Sequence, residues 1–265
     1  MRHAVQIGLM LAALGLGEAA AGAWTREEGT GQVIFSTGRR VAPVGALTGR
    51  IADEDSNTTQ IFVEYGLFND LTIGATLFAE LSSTDLGEGS ASAGLFLRQR
   101  LWQGERGVVS VQAGYIHPIE DIFPGEFGRN GSASEQEVEV RALYGHSWWG
   151  DWGSAFFSGE AGYDWHGDAE ADEIRLDATI GWEPYRCCLA LMSGFATVPV
   201  GGGGSGDASL TIAPSIAYTI WPDIGRNHKK PQGPVRPATI QIGINYDLLN
   251  SDDGLGVQLS LWRRF

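Results

Sequence analysis

Apolar and polar residues alternate with a period of two along most of this chain. That is the spacing of a strand whose two faces meet different surroundings. In "LTIGATLFAE", Leu71, Ile73, Ala75 and Leu77 share one face, with Thr72, Gly74, Thr76 and Glu80 on the other. In "EIRLDATIGW", Ile174, Leu176, Ala178, Ile180 and Trp182 oppose Glu173, Arg175, Asp177 and Thr179. "EQEVEVRALYGHSWW" and "TIQIGINYDL" repeat the arrangement, and helical periodicity is almost absent. The pattern predicts twelve strands, near 29–37, 57–67, 71–80, 90–102, 108–117, 134–147, 154–165, 172–183, 187–198, 208–221, 238–248 and 255–265. Each is close to the roughly 9–11 residues that carry a tilted strand across a bilayer.

The connections alternate in length. "FND", "QGERG", "WGDWG" and "EPYR" are tight turns, whereas "IEDIFPGEFGRNGSA" and "VPVGGGGSGD" are long and rich in Gly or acids. Short turns at one end and longer loops at the other predict an all-β, antiparallel, up-and-down transmembrane barrel with both termini in the periplasm. The segment "WPDIGRNHKKPQGPVRP" (221–237) departs from this, being long, Pro-rich and basic where a short turn belongs. Most of the nine tryptophans, including Trp102, Trp148, Trp149, Trp152, Trp182, Trp221 and Trp262, fall near the strand ends on the short-turn side. Indole rings favour the headgroup boundary. Alternation identifies two faces but not which one meets water. A soluble sandwich or a lipocalin-like barrel, with its apolar face in the core, has the same period.

The tail separates these readings. "VQLSLWRRF" puts Val257, Leu259, Leu261 and Phe265 on one face and stops on an aromatic. It resembles the C-terminal signature of Gram-negative outer-membrane β-barrels, apart from Arg263, where an apolar residue is usual. The resemblance implies a barrel-closing last strand with Leu259, Leu261 and Phe265 as the signal read by the barrel-insertion machinery.

At the other end, Arg2 and His3 precede an apolar run, Ile7 to Leu16, and then "EAAAGA". A basic start, a short apolar core and small residues form a secretory signal peptide, residues 1–23, leaving 24–265 as the barrel and an exported, outer-membrane location. The net charge is −14 and the only lysines are Lys229 and Lys230, a poor endowment for gripping nucleic-acid phosphates. Cys187 and Cys188 are adjacent, so on a strand they point to opposite faces, which argues against a mutual disulfide. Two cysteines alone make no zinc site, and no cofactor is implied.

If the apolar face meets lipid, the polar face lines the lumen. The expected pore-lining residues are Arg98, Arg100, Glu135, Glu137, Glu139, Arg141, Glu160, Arg175 and Asp177. Glu64, Glu80, Asp164, Glu173, Asp247 and Arg264 share the inward register, as do Gly74, Gly94, Gly114, Gly162 and Gly243. Inward glycines either widen the lumen or ease the curvature of the wall. Acids exceed bases, so the reading is a narrow channel or facilitator for small neutral or cationic solutes. The alternatives are a non-conducting structural or assembly barrel plugged by Arg–Glu pairs, and a lipid-modifying enzyme at the rim.

For the enzyme, His146 and Ser147 are strand neighbours and face opposite ways, while His117 and His166 have acids nearby but no serine. No catalytic residue is assigned. "HGDAEADE" offers His166, Asp168, Glu170 and Asp172 as cation ligands but has no calcium-loop pattern, and no metal site is assigned. Expected partners are outer-membrane lipid, lipopolysaccharide, the insertion machinery and a small solute.

Overall fold

In a computed structural model, described for residues 22–41, 56–82, 89–119, 136–166, 171–185, 187–200, 208–220, 238–249 and 255–265, the alternating runs become twelve strands. They are β1 (Gly31–Val41), β2 (Ser56–Phe68), β3 (Leu71–Ser82), β4 (Gly89–Gln103), β5 (Gly107–Pro118) and β6 (Glu137–Gly150). The second half comprises β7 (Gly153–Trp165), β8 (Asp172–Tyr185), β9 (Cys188–Val200), β10 (Ser209–Ile220), β11 (Ala238–Asp247) and β12 (Leu255–Arg264). Every strand pairs antiparallel with its sequence neighbours, and β12 pairs with β1, so the sheet closes and no edge is left. Phe265 completes the seam: its N–H donates to Gly31 O, and the Gly31 N–H donates to Phe265 O, each at 2.9 Å.

Strand number and order match the expectation, and the ends move by a few residues. β6 runs on to Gly150, because Trp148–Gly150 continues to pair with Ala155–Gly153 around a two-residue turn. Gly153 closes that turn at φ 103°, a backbone conformation that costs glycine nothing. Segment 221–237, Trp221 included, lies outside the described residues.

The barrel's polarity is inverted relative to a soluble protein. Leu95, Ile180, Ile216 and Ile242 are 57–69% exposed on the outer surface, while Glu64, Arg98 and Asp164 are at most 2% exposed inside. A continuous apolar belt around a charged interior excludes the soluble sandwich and lipocalin-like alternatives, which need the opposite arrangement.

The interior is not polar throughout. In the half nearest the termini (the proximal half), Ile34, Phe62, Phe96, Leu191, Ala217 and Trp262 pack together inside, joined by Phe156 and Leu189. Trp262 therefore belongs to an internal core and not to the interfacial girdle. Gly74 faces inward as expected, but it does not widen the lumen. Its missing β-carbon makes room for the Phe96 ring from the neighbouring strand, which stacks on Phe62 at 5.7 Å. Gly114 and Gly162 make the same kind of space for the side chains of Glu139 and Arg141.

Candidate functional site

The candidate site is the lumen, and its first element is not part of the wall. Residues 22–30 precede β1 and turn into the proximal end of the barrel. Ala23 is wholly buried and packs with Trp24 against Val108 and Leu143. Trp24 meets Phe156 edge-to-face, with ring centroids 6.1 Å apart. The Arg26 N–H donates to Thr72 Oγ1 (2.8 Å), and the Arg26 guanidinium pairs with Glu64. Further along, Glu28 bridges to Gly66 and the Gly29 N–H donates to Gly66 O at 3.0 Å.

From Arg26 a chain of polar contacts crosses the interior. Glu64 faces Arg98 Nη1 at 3.4 Å, and Arg98 donates from Nε and Nη2 to Gln112 Oε1 at 3.1 and 2.9 Å. Gln112 Nε2 donates to Glu139 Oε1 (2.9 Å), whose other oxygen receives Arg141 Nε and Nη2 at 3.1 and 2.8 Å. Arg141 Nη1 also faces Glu160 and Asp177, each at 3.4 Å. One guanidinium thus serves three carboxylates. On the same side Arg175 Nε lies 3.3 Å from Asp164 Oδ2.

Seven of the nine residues expected to line the lumen, all except Arg100 and Glu135, are therefore gathered inside the barrel. Arg100 keeps the inward register, opposite Ser110 on β5, but sits at the proximal rim beside a register shift in β4, where its N–H donates to Asp70 O at 2.8 Å. Glu135 lies outside the described residues. Gln112, Thr72 and the 22–26 segment were not singled out in the sequence. Gln112 links two charged layers only because β4, β5 and β6 pair in this register, which no local pattern reports.

Three cavities lie among the described residues. A cavity of about 40 Å³ lies between β1, β2, β11 and β12 near Ser36 and Gln258. Another of about 40 Å³ lies among Gln60, Gln112, Arg141 and Arg175. The proximal mouth holds a larger cavity of about 330 Å³, lined by Trp24, Phe156, Trp262 and Arg264. The first two hold a few waters at most. Trp24 and the apolar layer separate them from the third.

The histidines weighed as catalytic bases are engaged elsewhere. His146 Nδ1 lies 3.2 Å from Tyr144 Oη and His117 Nδ1 lies 3.4 Å from Tyr115 Oη, both on the outer surface. Ser147 instead lines the proximal cavity. The His166 side chain is buried, with Nε2 3.8 Å from Glu137 Oε2. Cys187 and Cys188 are free thiols.

No family model matches the chain, and no curated protein matches it. Solved structures do resemble it. The COG4313 outer membrane channel from Pseudomonas putida F1 superposes with a TM-score of 0.57 at 13% identity, covering 92% of this chain and 98% of its own. The NanC porin gives 0.57 at 10% identity over 88% of this chain and 98% of its own. The KdgM porin gives 0.53 at 6% identity over 88% and 99%. The fold of this chain is that of the outer-membrane β-barrels.

Proposed function

We propose that the protein is a narrow channel of the bacterial outer membrane, passing small cationic or neutral solutes and constricted at its proximal mouth by residues 24–30. The observation that carries the reading is the pairing of a charged interior with a constriction supplied by a segment outside the barrel wall. A purely structural barrel needs only wall side chains to fill it. Here Trp24 and Arg26 sit on a tether whose contacts can be lost without opening the sheet. Luminal carboxylates outnumber guanidinium groups, which favours cations over anions. The similar porins and channel support the reading at the level of fold.

In this proposal both termini lie in the periplasm, residues 1–23 are removed on export so that Ala23 leaves and Trp24 onward holds the mouth, and the insertion machinery reads the last strand. The acidic distal loops then face lipopolysaccharide. Single-channel recording of the refolded mature chain in a planar bilayer tests it. Small cation-selective steps that grow when residues 24–28 are deleted support the channel. Silence from both folded forms sinks it and favours the non-conducting barrel, for which the small internal cavities already speak.

A further inference from the structure

We propose that Glu137, Glu139 and Asp164 form a binding site for a hard divalent cation of calcium's size, in the half of the lumen away from the termini. The site rests on the barrel fold and stands whether or not the barrel conducts. One ligand oxygen from each residue lies within 4.8 Å of the other two. That is the span of two oxygens each about 2.4 Å from a shared Ca²⁺. Three carboxylates offer up to six oxygens of the kind a hard cation prefers, and water can complete the shell.

Proximity of acids alone would say little. What points to a ligand is the state of the oxygens. Among the described residues, Asp164 is wholly buried, receives no hydrogen bond at either oxygen, and has its ion contact with Arg175 through Oδ2. Glu137 is 2% exposed and its Oε1 has no hydrogen-bond partner. The ring of His166, outside the acidic trio, is buried against Glu137 and its Nδ1 is also unpartnered.

The surrounding guanidinium groups answer this demand only in part. Arg141 is already shared among Glu139, Glu160 and Asp177, and Arg175 approaches Asp164 at Oδ2 alone, with its Nε and Nη2 left without a hydrogen-bond partner. Glu173 pairs across the sheet with Asp164 and adds a further negative charge. Enclosed carboxylates without donors are costly, and a cation bound at the oxygens that the arginines leave open offsets that cost. The geometry is also prepared. Glu139 and Asp164 are direct cross-strand partners on β6 and β7, and Gly114 leaves the space that the Glu139 carboxylate occupies.

The test is calcium titration of the refolded full-length barrel by calorimetry, with folding checked by heat-modifiable gel mobility. One saturable site per barrel is expected, with affinity in the range of roughly 10⁻⁴–10⁻³ M seen for exported calcium modules. Glu137→Gln and Asp164→Asn should each weaken it at least about tenfold, as loss of a charged ligand does at sites tuned by ligand charge. Asp247→Asn, a luminal carboxylate elsewhere, should leave it unchanged. Should either ligand variant fail to fold, terbium bound to the wild-type barrel provides the second measurement. Its emission, sensitised by the neighbouring Tyr163 and Trp165, should fall on adding calcium. No saturable binding to the folded wild type, with stability rising on mild acidification instead, overturns the proposal in favour of a shared proton. Undiminished binding by the folded double variant overturns it in favour of surface acids.

Discussion

Trp24 lies against Gly145 on β6, so closely that a β-carbon at position 145 would come within 2.7 Å of the indole. The constriction therefore depends on a glycine in the wall opposite it. Gly145→Ala is expected to push the indole aside, and Trp24→Ala to remove it. Both should raise single-channel conductance, while stability falls by about 0.5–3 kcal/mol, the usual range for one lost packing contact. Unchanged conductance in both variants would show that the N-terminal segment is not the barrier.

The link between Arg141 and its three carboxylates makes a sharper electrostatic prediction. Arg141→Met leaves Glu139, Glu160 and Asp177 without their shared guanidinium. Breaking a buried ion pair from one side costs about 3–5 kcal/mol. Urea denaturation should show a loss of that order, and reversal potentials should shift towards stronger cation preference. Arg141→Lys should rescue only part, because an ammonium cannot hold a two-toothed grip on Glu139 and reach the other two acids as well.

Phe96 occupies the space that Gly74 leaves free, with Arg98 above its ring at 5.2 Å. Gly74→Ala should overpack this layer at a cost of about 1–3 kcal/mol. Adding Phe96→Leu should recover much of it. A double-mutant cycle with no coupling between the two positions would refute the space-sharing account.

On the outer surface Ile242 is 60% exposed within the apolar belt. Ile242→Arg should destabilise the barrel in liposomes by about 2–4 kcal/mol if this position lies near the bilayer midplane. A protein whose outer surface faced water would gain solubility from the same change and lose little stability.

At the seam, the Phe265 ring fills the space beside Gly31 while the two backbones exchange hydrogen bonds. Phe265→Ala keeps those backbone bonds and removes the ring. Assembly into membranes containing the insertion machinery should slow, as read by the appearance of the heat-modifiable form. If the ring serves only to pack the seam, spontaneous refolding in detergent will suffer equally.

The twelve strands and the two faces of each were legible from period-two alternation, and their antiparallel order from the alternating lengths of the connections. Strand side chains must alternate, and a single burial pattern then sets the face of every residue. The inward register of Arg98, Glu137, Glu139, Arg141, Glu160, Arg175 and Asp177 followed from the same rule. Three things were decided only by the closed sheet. Alternation does not tell which face meets lipid, and the terminal signature supplied that by resemblance before the exposed belt showed it. Inward apolar residues such as Ile34, Phe62 and Trp262 are scattered singly among polar neighbours, so the internal core they form has no local pattern. The partners of Arg141, the link through Gln112, the carboxylates around Asp164 and the docking of Trp24 all join strands or segments distant in sequence. A strand's own sequence sets the direction of its side chains, but which side chains meet is set by inter-strand register and closure, and those exist only in the folded barrel.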